Sequence, residues 1–90
     1  MENRILIVED DADIADIIAV NLQYSGYSYV AIDDGDKAAE LVAKDDAFDL
    51  AILDIMLPGL DGFALMEHMQ SHRIPVLFLT AKADVMSKIK

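Results

Sequence analysis

The chain has 90 residues, 54% of them hydrophobic, so it has the size of one small domain and enough apolar material for a core. Its formal net charge of −10 opposes binding to phosphate backbones and acidic membrane surfaces, so we expect no nucleic-acid or membrane contact. Cysteine is absent, which excludes disulfides and thiolate metal sites, and no segment resembles a signal peptide or membrane span, so we expect a cytoplasmic protein.

Strand and helix patterns alternate in the first half of the chain. Residues 5–8 form a continuous apolar run, typical of a strand buried on both faces. Apolar residues at helical spacing follow as far as Gly26, which predicts a helix with its C-terminal cap at this glycine. Residues 27–32 indicate a second strand, and residues 33–36 a turn that leads into the cap of a second helix at 38–42.

The same alternation continues in the second half. Residues 50–53 predict a third buried strand that ends at Asp54, and the Pro-Gly pair within residues 56–59 indicates a loop. The next helix is predicted from an apolar stripe at Phe63, Met66 and Met69. A fourth strand follows at residues 74–79, and residues 84–90 have the composition of a helix start.

This alternation predicts an α/β fold, a doubly wound parallel sheet with right-handed crossovers and helices on both faces. Ligands bind such sheets at the carboxyl ends of the strands, where the strand order reverses. Glu9 and Asp10 follow the first strand, Asp54 ends the third and Thr80 ends the fourth. If the first and third strands are neighbours, Asp10 must approach Asp54 closely.

Carboxylates at such short range repel one another, and a divalent cation relieves that repulsion. Mg²⁺ suits oxygen ligands and needs only one or two carboxylates, so we expect Mg²⁺ at Glu9, Asp10 and Asp54. Asp54 is then a plausible nucleophile toward phosphorus. The plainer alternative, that an acid only begins a helix or is solvated in a loop, is preferred for Asp11, Asp13 and Asp61.

Three segments resemble the signature blocks of the response-regulator receiver domain. They are residues 5–11 (ILIVEDD), residues 49–62 (DLAILDIMLPGLDG) and residues 74–81 (IPVLFLTA). The resemblance implies a flavodoxin-like receiver fold with strand order 2-1-3-4 in this chain. It also implies a signalling domain, not a conventional enzyme, although it assists its own phosphorylation and dephosphorylation.

The resemblance assigns roles to individual residues. Asp54 corresponds to the phosphoacceptor that takes a phosphoryl group from the phosphohistidine of a sensor histidine kinase. Glu9, Asp10 and the backbone carbonyl of Met56 correspond to further Mg²⁺ ligands. The hydroxyl of Thr80 and the backbone N–H of Ala81 correspond to groups that contact the phosphoryl oxygens. Taken alone, Thr80 is more typical of a strand-end residue that caps the next helix.

Residues 54–62 further resemble the OmpR/PhoB-type subfamily, in which a DNA-binding output domain follows the receiver and controls transcription. We therefore expect residues 1–90 to be a receiver domain that stops before the family's fifth strand, its phosphoryl-binding lysine and its fifth helix. The fourth strand would then be an edge strand, and we expect the chain to self-associate through it.

Two other classes of function remain as alternatives. One is an interaction or self-association module that cannot be phosphorylated. The other is a hydrolase or nucleotide-binding enzyme on the same fold, which the lack of a Gly-rich phosphate loop after the first strand disfavours. His68 and His72 stand four residues apart, but no third ligand is evident, so we interpret them as solvated side chains.

Overall fold

The computed structural model describes residues 3–54 and 62–79, and the predicted alternation of strands and helices is confirmed there. The predicted helix start at residues 84–90 lies outside the described residues. The elements in chain order are β1 (Arg4–Val8), α1 (Ala12–Tyr24), β2 (Ser28–Ile32), α2 (Gly35–Lys44), β3 (Leu50–Asp54), α3 (Gly62–Ser71) and β4 (Val76–Leu79).

All pairings between these strands are parallel, and the sheet has the order β2-β1-β3-β4, which confirms the predicted topology. The helices lie on both faces of the sheet: α1 packs against β1 and β2, while α2 and α3 pack together on the opposite face. None of the helices within the described ranges is long and apolar enough to span a membrane.

The main core lies between the sheet and the helix pair α2 and α3. It combines side chains from alternate strand positions with one stripe of each helix, as expected for a sheet covered on that face. Its buried members are Leu6, Val8, Ala38, Val42, Phe48, Ala51, Leu53, Leu65, Met69 and Ile74. This core fixes β1 and β3 side by side, and the candidate site lies at the ends of these two strands.

Local signals fix the ends of the first two helices. Asp11 is the N-cap of α1, and Asp34 is the N-cap of α2, so the predicted turn and cap before α2 are confirmed. Helix α1 ends at Tyr24 with Ser25 as its C-cap, and Gly26 follows with a positive φ of 86°. This left-handed conformation favours glycine, in agreement with the predicted helix end.

One predicted boundary in the second half differs from the structure, and α3 buries a face that the sequence did not specify. Strand β4 begins at Val76 and not at residue 74, because the backbone N–H of Ile74 donates to the Met69 carbonyl at 2.9 Å and ties this residue to α3. The predicted helix α3 is confirmed, although Phe63 of its apolar stripe is not buried. Leu65 is fully buried on the sheet side, while Phe63 is 58% exposed and contacts Phe78 with ring centroids 5.4 Å apart.

Arg4 joins the amino end of β1 to the chain that leads into β3. Its backbone N–H donates to Asp49 Oδ2 at 2.7 Å, and the Asp49 N–H donates to the Arg4 carbonyl at 2.8 Å. The guanidinium lies 4.2 Å from the Phe48 ring centroid and donates to Asp45 Oδ2 at 2.8 Å, which lowers the pKa of Asp45. These contacts hold the register of β1 against β3.

Candidate metal site at the carboxyl edge of the sheet

The site is built on the ends of the two central strands. Val8 pairs with Leu53, so the next residues on the two strands, Glu9 and Asp54, also lie side by side. The backbone N–H of Glu9 donates to the Ile32 carbonyl at 3.0 Å, which continues the ladder between β1 and β2 through this residue. The backbone positions of both acids are therefore set by the sheet itself.

Glu9, Asp10 and Asp54 come together at this edge. One carboxylate oxygen from each residue lies within 4.8 Å of the other two. Glu9 and Asp54 are 3% and 4% exposed, whereas Asp10 is exposed. The structure thus confirms that the three acids converge, as expected from the predicted positions of the strand ends.

Burial changes the acidity of Glu9. The pKa of Glu9 is raised from its ordinary value of 4.5 to about 7, chiefly because burial disfavours the charged carboxylate. Within this net shift, a hydrogen bond from the Asp11 backbone N–H acts to lower the pKa, whereas side-chain hydrogen bonds with Asp10 and Asp54 and the charge of Asp54 act to raise it.

These donors fit Mg²⁺. Hard oxygen ligands on two adjacent strand ends match the preference of this ion, and the exposed Asp10 keeps one side of the site open to water. A cation among the three carboxylates would also offset their mutual repulsion, because it stabilises their ionised forms.

Asp10 and Glu9 also border an open cleft of about 450 Å³ between the ends of β1 and β2 and the start of α1. Asp16 and Asp33 add acidic side chains to its wall, and Lys37 supplies a cation. Sequence reasoning missed this cleft, because it depends on how α1 and the turn after β2 sit beside each other, which the spacing of residues does not specify.

The remaining predicted residues divide into two groups. Asp11 caps α1 and Asp13 lies exposed in the first turn of this helix. Both residues agree with the simpler prediction that these acids begin a helix or are solvated. Residues Met56, Asp61, Thr80 and Ala81 lie outside the described residues.

Away from the site, His72 Nδ1 lies 3.1 Å from Asp46 Oδ2. This contact joins the α3–β4 turn to the α2–β3 loop, and the sequence did not predict it.

The fold and the site together define a doubly wound α/β domain with a cluster of three acids at its topological switch point, an arrangement that could hold a metal ion. More specifically, the chain belongs to the response regulator receiver domain family, which it matches over residues 5–90. The resemblance of the three sequence blocks to this family is thereby confirmed. The finer resemblance to the OmpR/PhoB-type subfamily stays a prediction.

Two relatives and one solved structure illustrate the match. The chain is 44% identical over 89 residues to the uncharacterized transcriptional regulatory protein YrkP of Bacillus subtilis, and 42% identical over 90 residues to the regulatory protein VanRc of Enterococcus gallinarum. These alignments cover 98% and 99% of the chain but only 38% of each relative. The chain therefore spans well under half the length of both relatives.

The solved structure is the receiver domain of the sensor histidine kinase PA1611 from Pseudomonas aeruginosa PAO1. It is 30% identical to this chain with a TM-score of 0.81, and the match covers 92% of this chain and 70% of that one. That structure holds a magnesium ion coordinated in its active site cleft.

Proposed function

We propose that this receiver domain takes a phosphoryl group from the phosphohistidine of a sensor histidine kinase onto Asp54. The observation that carries the proposal is the convergence of Glu9, Asp10 and Asp54 within 4.8 Å at the switch point of the sheet. Membership in the receiver family supports this chemistry, and so does the Mg²⁺ in the cleft of the PA1611 receiver domain.

The three acids have two different parts in the proposed reaction. A carboxylate oxygen of Asp54 forms the new O–P bond as the P–N bond of the phosphoimidazole breaks, and the bonding pair returns to the imidazole nitrogen. Glu9 and Asp10 would hold Mg²⁺ beside Asp54. When bound, the metal neutralises the charge on the phosphoryl oxygens.

Three more residues complete the proposed site by resemblance to the family. The Met56 carbonyl is proposed as a further metal ligand, and the Thr80 hydroxyl and the Ala81 backbone N–H as donors to the phosphoryl oxygens. Sequence position relative to Asp54 and to the end of β4 supports these assignments.

For the protein as a whole we propose control of transcription through a DNA-binding output domain. The description of YrkP as a transcriptional regulatory protein supports this proposal. We further propose that residues 1–90 belong to a single receiver domain.

The decisive experiment is phosphorylation by acetyl phosphate with Mg²⁺, followed by intact-mass measurement. We expect one phosphoryl group on the unmodified chain and none on Asp54→Asn, which keeps the shape of the side chain but removes the nucleophile. Asp13→Asn removes a nearby exposed acid and should leave labelling unchanged. Circular dichroism checks that both variants keep the fold.

Labelling that persists in Asp54→Asn would show that another residue is the acceptor. An unlabelled but folded chain that still self-associates would favour the interaction module instead. The observation behind this second candidate is Leu77, which is 54% exposed on β4 at the edge of the sheet formed by the described strands.

A further inference from the structure

The turn between β1 and α1 joins a helix cap to the candidate metal site. Asp11 Oδ1 accepts hydrogen bonds from the backbone N–H groups of Asp13 at 3.0 Å and Ile14 at 3.2 Å. The backbone N–H of the same Asp11 donates to Glu9 Oε2 at 3.0 Å. One residue therefore begins the helix with its side chain and contacts the buried acid with its backbone.

These two sets of bonds depend on each other through the conformation of Asp11. Capping requires an extended backbone at the N-cap, and Asp11 has φ −86° and ψ 111°. That conformation also sets the direction of its N–H. Glu9 is already held at its backbone by the Ile32 carbonyl. The Asp11 N–H adds a backbone donor to its carboxylate, beside the side-chain hydrogen bonds with Asp10 and Asp54.

We propose that Asp11 is a positioning residue for the metal site. Its capping side chain holds the backbone N–H that orients the Glu9 carboxylate toward Asp10 and Asp54. This inference rests on the proposed function, in which these three acids hold Mg²⁺. Groups that orient a metal ligand without touching the metal commonly change metal affinity by about 10- to 100-fold when they are removed.

A second cap in the same chain provides the matched control. Asp34 Oδ1 accepts from the backbone N–H groups of Asp36 at 2.8 Å and Lys37 at 3.2 Å, which is the same arrangement at the start of α2. Asp34 is not one of the three acids of the cluster. Loss of either cap should weaken a helix start similarly, but only loss of the Asp11 cap should affect Mg²⁺ binding.

The experiment measures Mg²⁺ affinity by titration of backbone amide NMR shifts in Asp11→Ala, Asp11→Asn and Asp34→Ala. Alanine and asparagine remove the same charge at position 11, but only asparagine keeps a capping oxygen. We expect Asp11→Ala to bind Mg²⁺ about tenfold more weakly than Asp11→Asn. Asp34→Ala should bind as the unmodified chain does.

A metal-free measurement accompanies the titration. The amide of residue 11 should exchange with solvent faster in Asp11→Ala than in Asp11→Asn, because its bond to Glu9 is no longer held. If Asp11→Ala does not fold, Asp11→Gly replaces it, since glycine also lacks the capping oxygen but costs a helix start little stability.

Equal Mg²⁺ affinity and equal amide exchange in the alanine and asparagine variants would overturn the proposal. An equal loss of affinity in Asp34→Ala would also overturn it, because the effect would then be general destabilisation. Absence of Mg²⁺ binding by the unmodified chain is a different result, since it would overturn the proposed metal site itself.

Discussion

Glu9 is an ionisable side chain in a buried position, and its burial opposes its ionisation near neutral pH. Burial raises its folded-state pKa to about 7 from an ordinary value of 4.5. Between these two values the folded chain keeps a proton that the unfolded chain has lost. The contribution of Glu9 to stability is therefore complete below pH 4.5 and is lost as the pH rises through about 7.

We expect Glu9→Gln to stabilise the metal-free chain at a pH of about 8, because the amide keeps the shape of the protonated carboxyl and never ionises. The gain should be about 1–3 kcal/mol, since each unit of pKa shift corresponds to about 1.4 kcal/mol. It should vanish at a pH of about 4. Urea unfolding of both chains across this range measures the difference.

Glu40→Gln is the matched control for this experiment, because Glu40 is exposed on α2 and the same substitution there should have little effect at any pH. Addition of Mg²⁺ should stabilise the unmodified chain more than Glu9→Gln, since the amide is a poorer ligand. A gain for Glu9→Gln that is independent of pH would contradict the assigned ionisation.

For single residues, the sequence predicts which acids lie close together but not their hydrogen bonds or the pKa of Glu9. Glu9, Asp10 and Asp54 could be grouped because strand ends in a parallel sheet share one edge. The raised pKa of Glu9 and its bond from Asp11 could not be predicted, because they depend on side-chain burial and on the conformation of one turn.

Among the elements, α3 shows where sequence periodicity is insufficient. Its apolar residues Phe63, Leu65, Met66 and Met69 spread over an arc of about 160° at 100° per residue. This arc is wider than the part that the sheet buries, so spacing alone does not select the buried face. The sheet selects Leu65 and Met69, which are both fully buried. The starts of α1 and α2 were easier to place, because aspartate caps act locally through the backbone.

Truncation of one buried and one exposed side chain tests which face of α3 packs against the sheet. Leu65→Ala should cost about 2–5 kcal/mol of unfolding free energy, because it leaves a cavity in a fully packed core. Phe63→Ala should cost about 1 kcal/mol, since it removes an exposed ring whose aromatic contact is with Phe78. Equilibrium urea unfolding gives both values, and a larger loss for Phe63→Ala would reverse the assignment.

Across the whole molecule, the strand order came from the family resemblance and not from individual residues. Local sequence predicts each strand, but the order in the sheet depends on which crossover each helix makes. The observed β2-β1-β3-β4 order places β1 and β3 at the centre and β4 at one edge of the described sheet. The same order that assembles the acidic site thus exposes the side of β4.

We expect the 90-residue chain to self-associate through β4. Leu77 pairs in register with Ile52 of β3. Helix α1 packs over β1 and β2, and Leu77, on the edge strand, is 54% exposed. Strand β4 carries no charged residue, and an uncharged apolar edge strand favours pairing with another chain. Sedimentation velocity at micromolar concentration should show a dimer or larger species, and Leu77→Lys should shift it toward monomer.

The control for this association is Val20→Lys, at a side chain 49% exposed on α1, which should leave the association unchanged. A single monomeric species with slow amide exchange at residues 76–79 would rule this association out.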